Sequence, residues 1–557
     1  MKRILLIFTF CISITGISQS NRSLTDNFSK LPQENIYTHI NNNFLLSGET
    51  LYYKLYCFDS NGNFSNYSKV AYVELINSDN ISVSKQKVNL KKGNGNGDFF
   101  INTNIKTGTY KLISYTQWML NKQIFSEKNI LIVNPFSNKL NNIIKNENSL
   151  LISKPSIINS PNSLFKGLLP EYKTRQKITL EFTKKINFNS NISISVKQKN
   201  NLNLPLIINK GHQVISSNQT NKSNIYLPEL RGTLIQGTVI TKTEKYKVPN
   251  VLLSLSIKGE YNHLPKTALT NKRGEFYFNI LDLYTDKVFI QILDDKKADY
   301  DIFLKKNIIR KPKFHNFPEI TLDQNIIKII KDRSIYSQIE NAFFSVKKDS
   351  IIKVLKKAPL FNQIKKTYLL DEYKRFKTVK ETFVEIIEGA GIIKQKDSYK
   401  ISIRDSHALE TLSDLPSLLI VDGSIVYDHS DLIDFNSKKI KSISVVRDKY
   451  YYGNAIYQGV VIVKTFKKDF LSNINDFRDF TVLPIQFQKK YFFQQHKKNN
   501  QRVPDYRTQL YWNPNLNLTK KQFSFYTSDV KGVFEIDIQG FSKNGKFILE
   551  KKTFTVN

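Results

Sequence analysis

Between residues 46 and 133 apolar and polar positions alternate with a period of two. Leu51, Tyr53, Leu55 and Cys57 fall on one face, and Val70 to Ile76 repeats the pattern. Gly97-Asp98-Phe99 and Gly108-Thr109-Tyr110 punctuate later strands. Turn signals at roughly 8–12-residue spacing predict a β-sandwich over residues 30–135. An Asn/Ser-rich linker follows, and the strand patterns Gln176–Thr183 and Asn191–Val196 predict an Ig-like sandwich over 136–228. Further alternation predicts a third sandwich over 229–320. From Asn325 the period changes. Ile326, Ile327, Ile329 and Ile330, then Ile339, Phe343 and Phe344, then Ile351, Ile352 and Leu355 predict amphipathic helices, giving a helical spacer over 321–372. The next unit, 373–468, holds a buried apolar run (Leu418–Val421), an Asp422-Gly423 turn and a polar helix-or-loop stretch. An alternating strand, a Tyr-rich turn at Gly453 and a strand from Val460 to Lys464 complete it. Residues 469–557 return to β pattern. There Phe534, Ile536 and Ile538 are expected to face a core, and Glu535, Asp537 and Gln539 to face water. The fold class is mainly β and multidomain: a string of Ig-like β-sandwiches, a helical spacer, a small α/β unit and a C-terminal β domain.

Composition supports a folded chain, with 40% hydrophobic and 12% aromatic residues in 557. The formal net charge of +35 raises nucleic-acid binding. The lysines are spread along the chain among abundant Asn and Ile, and no RNP, helix-turn-helix or zinc signature accompanies them. Nucleic acid is therefore not an expected partner, and attraction to an anionic envelope surface fits the charge better. Met1-Lys2-Arg3 followed by Ile4 to Ile17, with small residues at Gly16 and Ser18, reads as a signal peptide over 1–18. Phe10 stands before Cys11 where lipoprotein signals resemble one another in having a small residue. The mature chain keeps only Cys57, which allows no internal disulfide. The expected location is extracytoplasmic: periplasmic or outer-membrane associated, or at the cell surface.

The order from Val421-Asp422-Gly423 to the Gly459-Val460 strand resembles the plug domain of TonB-dependent outer-membrane receptors of the Bacteroidota type. Ile440, Ser442, Ile443, Val445, Arg447, Asp448, Tyr452, Gly453, Gly459 and Val460 occupy the matching places. A receptor-size barrel at roughly 10 residues per strand is not expected after Lys464. "SGETLYYKLYCFD", "AYVELI", "GDFFI" and "GTYKLISYTQWMLN" resemble the MG2-type domain of alpha-2-macroglobulin-like proteins, and Trp118 is expected to plug the sandwich end. The thioester sequence Cys-Gly-Glu-Gln of such families is missing, so covalent proteinase capture does not carry over. Gly237-Thr238-Val239, Pro249-Asn250-Val251 and Thr270 to Phe276 are similar to the carboxypeptidase regulatory-like sandwich, which implies no catalytic zinc. Val503 to Thr508 and Leu510 to Pro514 resemble segments that close such MG2-and-plug proteins. Gly532 to Lys552 is weakly similar to C-terminal sorting domains of the type 9 secretion system, with an ordinary terminal sandwich the favoured reading.

No HExxH, CxxC, GxSxG or Walker-type sequence is present. The seven histidines (His39, His212, His263, His315, His407, His429, His496) are never spaced i, i+4, and each is expected at a surface or strand end. His429, beside Asp428 and Asp431, is the best acid–base candidate, though a solvated loop explains it. Asp59-Ser60-Asn61-Gly62-Asn63 reads as a hairpin turn in preference to a calcium loop, because Phe64 and Val70 stand where Gly and Glu are needed. Asp294, Asp295, Asp299 and Asp301 read as a solvated loop, Ser345–Lys348 as a chance S-x-x-K match, and Cys57 as a buried inert thiol. Two of Tyr450, Tyr451 and Tyr452 are expected to pack in their turn. No catalytic, metal or cofactor-binding residue is assigned.

The leading expectation is a non-enzymatic cell-envelope protein mediating protein–protein contacts, with an outer-membrane barrel or an envelope transport, assembly or secretion complex as partner. The alternatives are a macroglobulin-like proteinase-binding protein without thioester and a surface hydrolase with a site not evident in sequence.

Overall fold

The strand pairing places residues more than 300 positions apart in the same sheets. In the computed structural model the described residues are 33–137, 163–183, 190–199, 226–242, 248–257, 264–305, 313–318, 324–352, 366–395, 398–405, 415–453, 455–473, 478–496 and 502–557. The signal-peptide reading, with Cys11, lies outside them, as do His212, His263, His407 and Leu355. The chain is mainly β and multidomain. Among the described residues no helix is long and apolar enough to cross a membrane.

The first sandwich packs a three-stranded sheet (Asn35–Ile40, Thr50–Phe58, Asn94–Phe100) on a five-stranded one. The latter runs Phe44–Leu46, Ser126–Val133, Gly108–Tyr115, Val70–Ile76, Ser82–Asn89. Leu51, Tyr53, Leu55 and Cys57 do share its core. The sandwich end is filled by Met119 and Leu120, while Trp118 is only half-buried. The short 3-10 turn Trp118–Lys122 rotates the two aliphatic neighbours inward in place of the indole.

Strands from the two segments expected as separate domains, 136–228 and 469–557, come together in one second sandwich. Asn191–Gln198 lies between Gln509–Asn513 and Gly532–Phe541, and Phe547–Val556 and Glu171–Tyr172 extend that sheet. Lys177–Phe182 pairs with Gln522–Tyr526 and Phe165–Lys166 in the other. The register sets Ile194 opposite Ile538 and Val196 opposite Ile536, so both halves feed one core with Phe534 and Phe554. Each fully buried side chain of this size is worth about 1.5–3 kcal/mol. Neither half alone has enough strands to cover both faces of that core.

The polar face of Gly532–Phe541 does not meet water as expected. Asp537 is 3% exposed, and the face packs on the first sandwich, where Tyr37 donates to Gln539 (2.6 Å) and Tyr56 to the Gln539 carbonyl (3.1 Å). The two sandwiches thus share a polar, buried interface.

A third sandwich pairs Thr233–Thr241 with Glu275–Ile280 and Tyr300–Leu304, against Lys266–Leu269, Leu252–Ser256 and Lys287–Ile292. Arg478–Thr481, from the segment assigned to the C-terminal domain, supplies its last strand. Among the described residues one α-helix, Gln324–Ala342, stands where the spacer was expected. Ile330 joins Phe44 and Leu46, and Arg333 pairs with Glu49 (2.6 Å) with its guanidinium over the Phe44 ring. The spacer is therefore clamped to the first sandwich. Ile351 falls in a two-residue strand paired with Lys489–Lys490.

The α/β unit has a five-stranded sheet in the order Lys366–Leu369, Ile440–Tyr452, Ala455–Thr465, Leu418–Val421, Ser424–Ile425. Its first strand lies in the segment assigned to the spacer. That strand has four residues, of which only Tyr368 is buried, too little signal for a period to register. Leu418–Val421 runs parallel to Val460–Val463, and the helices Val379–Glu385 and Ser430–Ile433 contribute to its core. The Asp422-Gly423 turn is as expected: both residues have positive φ (49° and 86°), the signature of a type I′ hairpin. Asp422 is buried, and its carboxylate accepts from the Thr465 amide (2.8 Å), the Thr465 hydroxyl (2.6 Å) and the Phe470 amide (3.4 Å). Asp422→Ala should destabilise this unit by about 2–4 kcal/mol, because buried donors lose their acceptor and the left-handed backbone loses a tolerant residue. Asp422→Asn should cost about half as much. Amide hydrogen exchange across the unit's sheet is the check, and unchanged protection in the alanine variant would rule the account out.

Candidate interaction surface

The α/β unit is anchored at one side and open at the other. On the anchored side the short strand Ser424–Ile425 lies beside Leu252–Ser256 of the third sandwich, and Gln291 donates to the Ile425 carbonyl. The long Ile440–Thr465 hairpin reaches the same sandwich. Tyr450 and Tyr452 pack with Leu252, Leu264 and Leu293, and the Tyr452 hydroxyl donates to the Pro265 carbonyl. A side chain at Gly453 would collide with Thr267, which explains glycine at this turn. Tyr451 points away and is 74% exposed. Two of the three tyrosines pack, as their sequence predicts.

At the opposite edge, Lys366–Leu369 pairs only with Ile440–Tyr452, and no other strand covers it among the described residues. Beside it Leu369, Tyr373 and Phe466 are exposed. Arg375 lies 5.6 Å from the Phe466 ring centroid, donates to the Ile440 carbonyl (2.6 Å) and pairs with Asp371. Tyr373 sits 6.2 Å from Tyr368. A free strand edge with aromatics and a fixed arginine is the composition of a protein contact. Sequence reasoning missed Leu369, Tyr373, Arg375 and Phe466, since the first ends a four-residue strand and the others lie in bends and loops beyond the strands, where no periodic signal marks them.

The titratable candidates separate cleanly. His429 is not solvated: it is 7% exposed, and Nδ1 accepts from the Ile401 amide (2.9 Å). Burial pushes it down to about 4 despite Asp428, which leaves a neutral structural acceptor. His39 is buried between the first two sandwiches, and His496 sits 3.0 Å from the buried Asp505. Of the four described histidines only His315 has the exposed position expected. Cys57 is fully buried, and burial holds its thiol well above the usual range, so it is inert. Ser345 and Lys348 of the S-x-x-K match are both exposed on the surface, and Lys347 between them is tied to Glu340 and the Pro504 carbonyl. The Asp59 carboxylate accepts from the Asn61 and Asn63 amides (both 2.9 Å), a hairpin turn consuming its own acceptor. Asp301 is held by Arg478 (2.7 Å). Among the described residues no group of three or more His, Cys, Asp or Glu side chains gathers as a metal site.

No family model matches this sequence, and no curated protein does. Among solved structures, Salmonella alpha-2-macroglobulin reacted with methylamine is similar at 7% identity and a TM-score of 0.24, covering 94% of this chain and 39% of that one. Trypsin-activated alpha-2-macroglobulin from Escherichia coli has the same identity and TM-score, covering 94% and 41%. Dimeric latent PorU from Porphyromonas gingivalis is similar at 8% identity and a TM-score of 0.15, covering 94% and 34%. The chain spans well under half the length of these proteins. Likenesses this weak establish no common arrangement.

Proposed function

We propose that the chain is a non-enzymatic cell-envelope protein whose plug-like α/β unit docks on an outer-membrane barrel protein or its complex, in support of transport, assembly or secretion. The observation that carries this reading is the polarity of that unit: one edge fixed to the third sandwich, the other unpaired among the described residues and flanked by Leu369, Tyr373, Arg375 and Phe466. The macroglobulin-type first sandwich and the carboxypeptidase regulatory-like third sandwich act in this reading as the rigid body that presents it. β-Augmentation along Lys366–Leu369 would set the register, and the aromatics would supply the anchors. The protein is extracytoplasmic in this account, and no nucleic acid, metal or soluble cofactor takes part.

The test is affinity purification from a detergent-solubilised outer-membrane fraction. The unaltered protein should recover a barrel protein, and Leu369→Lys combined with Phe466→Lys should cut that recovery at least tenfold while leaving circular dichroism unchanged. Recovery of no barrel protein would sink the proposal. Proteinase inhibition assayed on small and large substrates separates it from the macroglobulin-like alternative, which requires selective loss of large-substrate cleavage.

A further inference from the structure

A cleft of about 610 Å³ opens where the first and second sandwiches meet. Lys54, Lys91, Lys92 and Lys543 line it together with six asparagines, Gln488 and Phe64, and no lining residue is an aspartate or glutamate. Three of the lysines are exposed and ordinary on a chain this basic. Lys54 is not. It belongs to the core strand Thr50–Phe58, is 1% exposed, and its ammonium donates to Asn515 Oδ1 (2.6 Å) with the Tyr56 ring 5.4 Å away. No carboxylate among the described residues forms an ion pair with it, and burial alone pushes it down to about 7. A buried ammonium with three donors and one acceptor is costly unless something anionic completes it.

A second observation points the same way. Asn94, on the neighbouring strand of the same sheet and opposite Tyr56, fixes its amide by donating to the Lys92 carbonyl (2.9 Å), which leaves its buried Oδ1 with no hydrogen-bond partner among the described residues. Phe64, half-buried and stacked on Phe58 at 5.0 Å, is the one aromatic of the lining. Amides that both donate and accept suit hydroxyl groups, an aromatic surface suits the C–H face of a sugar ring, and uncompensated lysines suit an anion. Clefts between domains are common ligand sites.

We propose that this cleft binds an anionic sugar, its carboxylate or phosphate paired with Lys54 and its hydroxyls with the surrounding amides. Titration calorimetry on the full chain with trigalacturonate, with glucose 6-phosphate and with neutral maltotriose tests it. At least one anionic probe should bind, at least tenfold tighter than maltotriose, and the better of the two identifies a carboxylated or a phosphorylated ligand. Lys54→Met should weaken that probe at least tenfold. Because Lys54 is buried, Lys543→Met and Asn94→Ala serve as variants at the rim, each expected to weaken binding at least threefold without altering the unfolding midpoint. Equal binding of maltotriose, no binding of either anionic probe, or unchanged affinity in all three variants would overturn the assignment.

Discussion

Asp505→Ala is expected to lower the unfolding free energy of the second sandwich by about 3–5 kcal/mol, the usual cost of leaving a buried charge without its partner. Asp505 is completely buried, and its carboxylate accepts two bonds from Arg507 (2.6 and 2.7 Å) and lies 3.0 Å from His496. Its amide donates to Asp529, whose own amide donates to the Asp505 carbonyl, and Arg175 holds Asp529 in turn by two bonds (2.5 and 2.6 Å). The network ties the returning chain at 496–510 to the strands that began near residue 163. Burial disfavours the Asp505 carboxylate, but Arg507, His496 and Lys347 outweigh it and hold the group below the usual carboxylate range. With the folded value depressed, its contribution is present above about pH 3.9 and is lost as pH falls through the folded value. Asp505→Asn should keep the shape and lose roughly half the effect at pH 7. Trp512, one of only two tryptophans, stands on a strand of this sandwich with its ring against His39 and Tyr52 of the first, and reports the transition in urea. A shift below about 1 kcal/mol in the alanine variant would mean the charges are solvated by other means.

The same network shows why part of the fold was illegible. Alternation in Gln176–Thr183 and in Phe534, Ile536 and Ile538 identifies the strand and its core-facing side correctly, because side-chain direction is a local property of the backbone. What the strand pairs with is not local. Ile194 meets Ile538 across hundreds of residues, and both segments offer the same generic apolar face. Two half-sandwiches therefore read as two domains. Short segments suffer differently: Arg478–Thr481 and Lys366–Leu369 contain four residues each, only two repeats of the strand period. The α/β unit was the most legible because its turns are chemically specific. Positive φ at Asp422 and Gly423, and the close approach of Gly453 to Thr267, require residues that few other positions tolerate.

Site chemistry was legible mainly as exclusion. Lys54 looks like any strand lysine in sequence, since the alternation assigns it to the face opposite Leu51, Tyr53 and Leu55, and that face reads as solvent. It is buried only because the second sandwich covers it, as Asp537 is buried because the first sandwich covers it in return. A polar stripe on a strand means water or a polar interface, and one chain of residues cannot distinguish the two. Alternating polar residues at Tyr37, His39, Lys54, Tyr56, Ser193, Asp537 and Gln539 are the shared signature once both faces are seen together.

That interface should fail first in acid, and His39 is the reason. His39 is 1% exposed, with Nδ1 2.6 Å from the Ser193 hydroxyl, Nε2 4.0 Å from Asp537 and the ring 5.3 Å from Trp512. Burial pushes it down from 6.5 to about 3. The Asp537 charge opposes this, and Lys197, Lys551 and Lys128 add to it. Asp537 is already engaged by Lys551 (3.1 Å) and by Gln539 (2.9 Å), which limits what it can offer an imidazolium. Because the folded value is depressed, the unfolded chain binds the extra proton first. Stability is therefore constant with respect to this group above about pH 6.5 and falls between there and about pH 3, by up to about 1.4 kcal/mol per pH unit. The total is on the order of 4 kcal/mol, enough to open a junction before the apolar cores unfold. His39→Gln keeps a neutral polar group opposite Ser193 and removes the titration. Unfolding free energies at pH 7 should agree to within about 1 kcal/mol between the two proteins, then diverge below pH 6.5 with the unaltered protein the weaker. Quenching of Trp512 by an adjacent imidazolium in the folded protein should appear only as the pH nears 3, and only in the unaltered protein. Parallel pH profiles in the two proteins would place the acid sensitivity elsewhere, with the carboxylates of Asp505 and Asp529 the next groups to test.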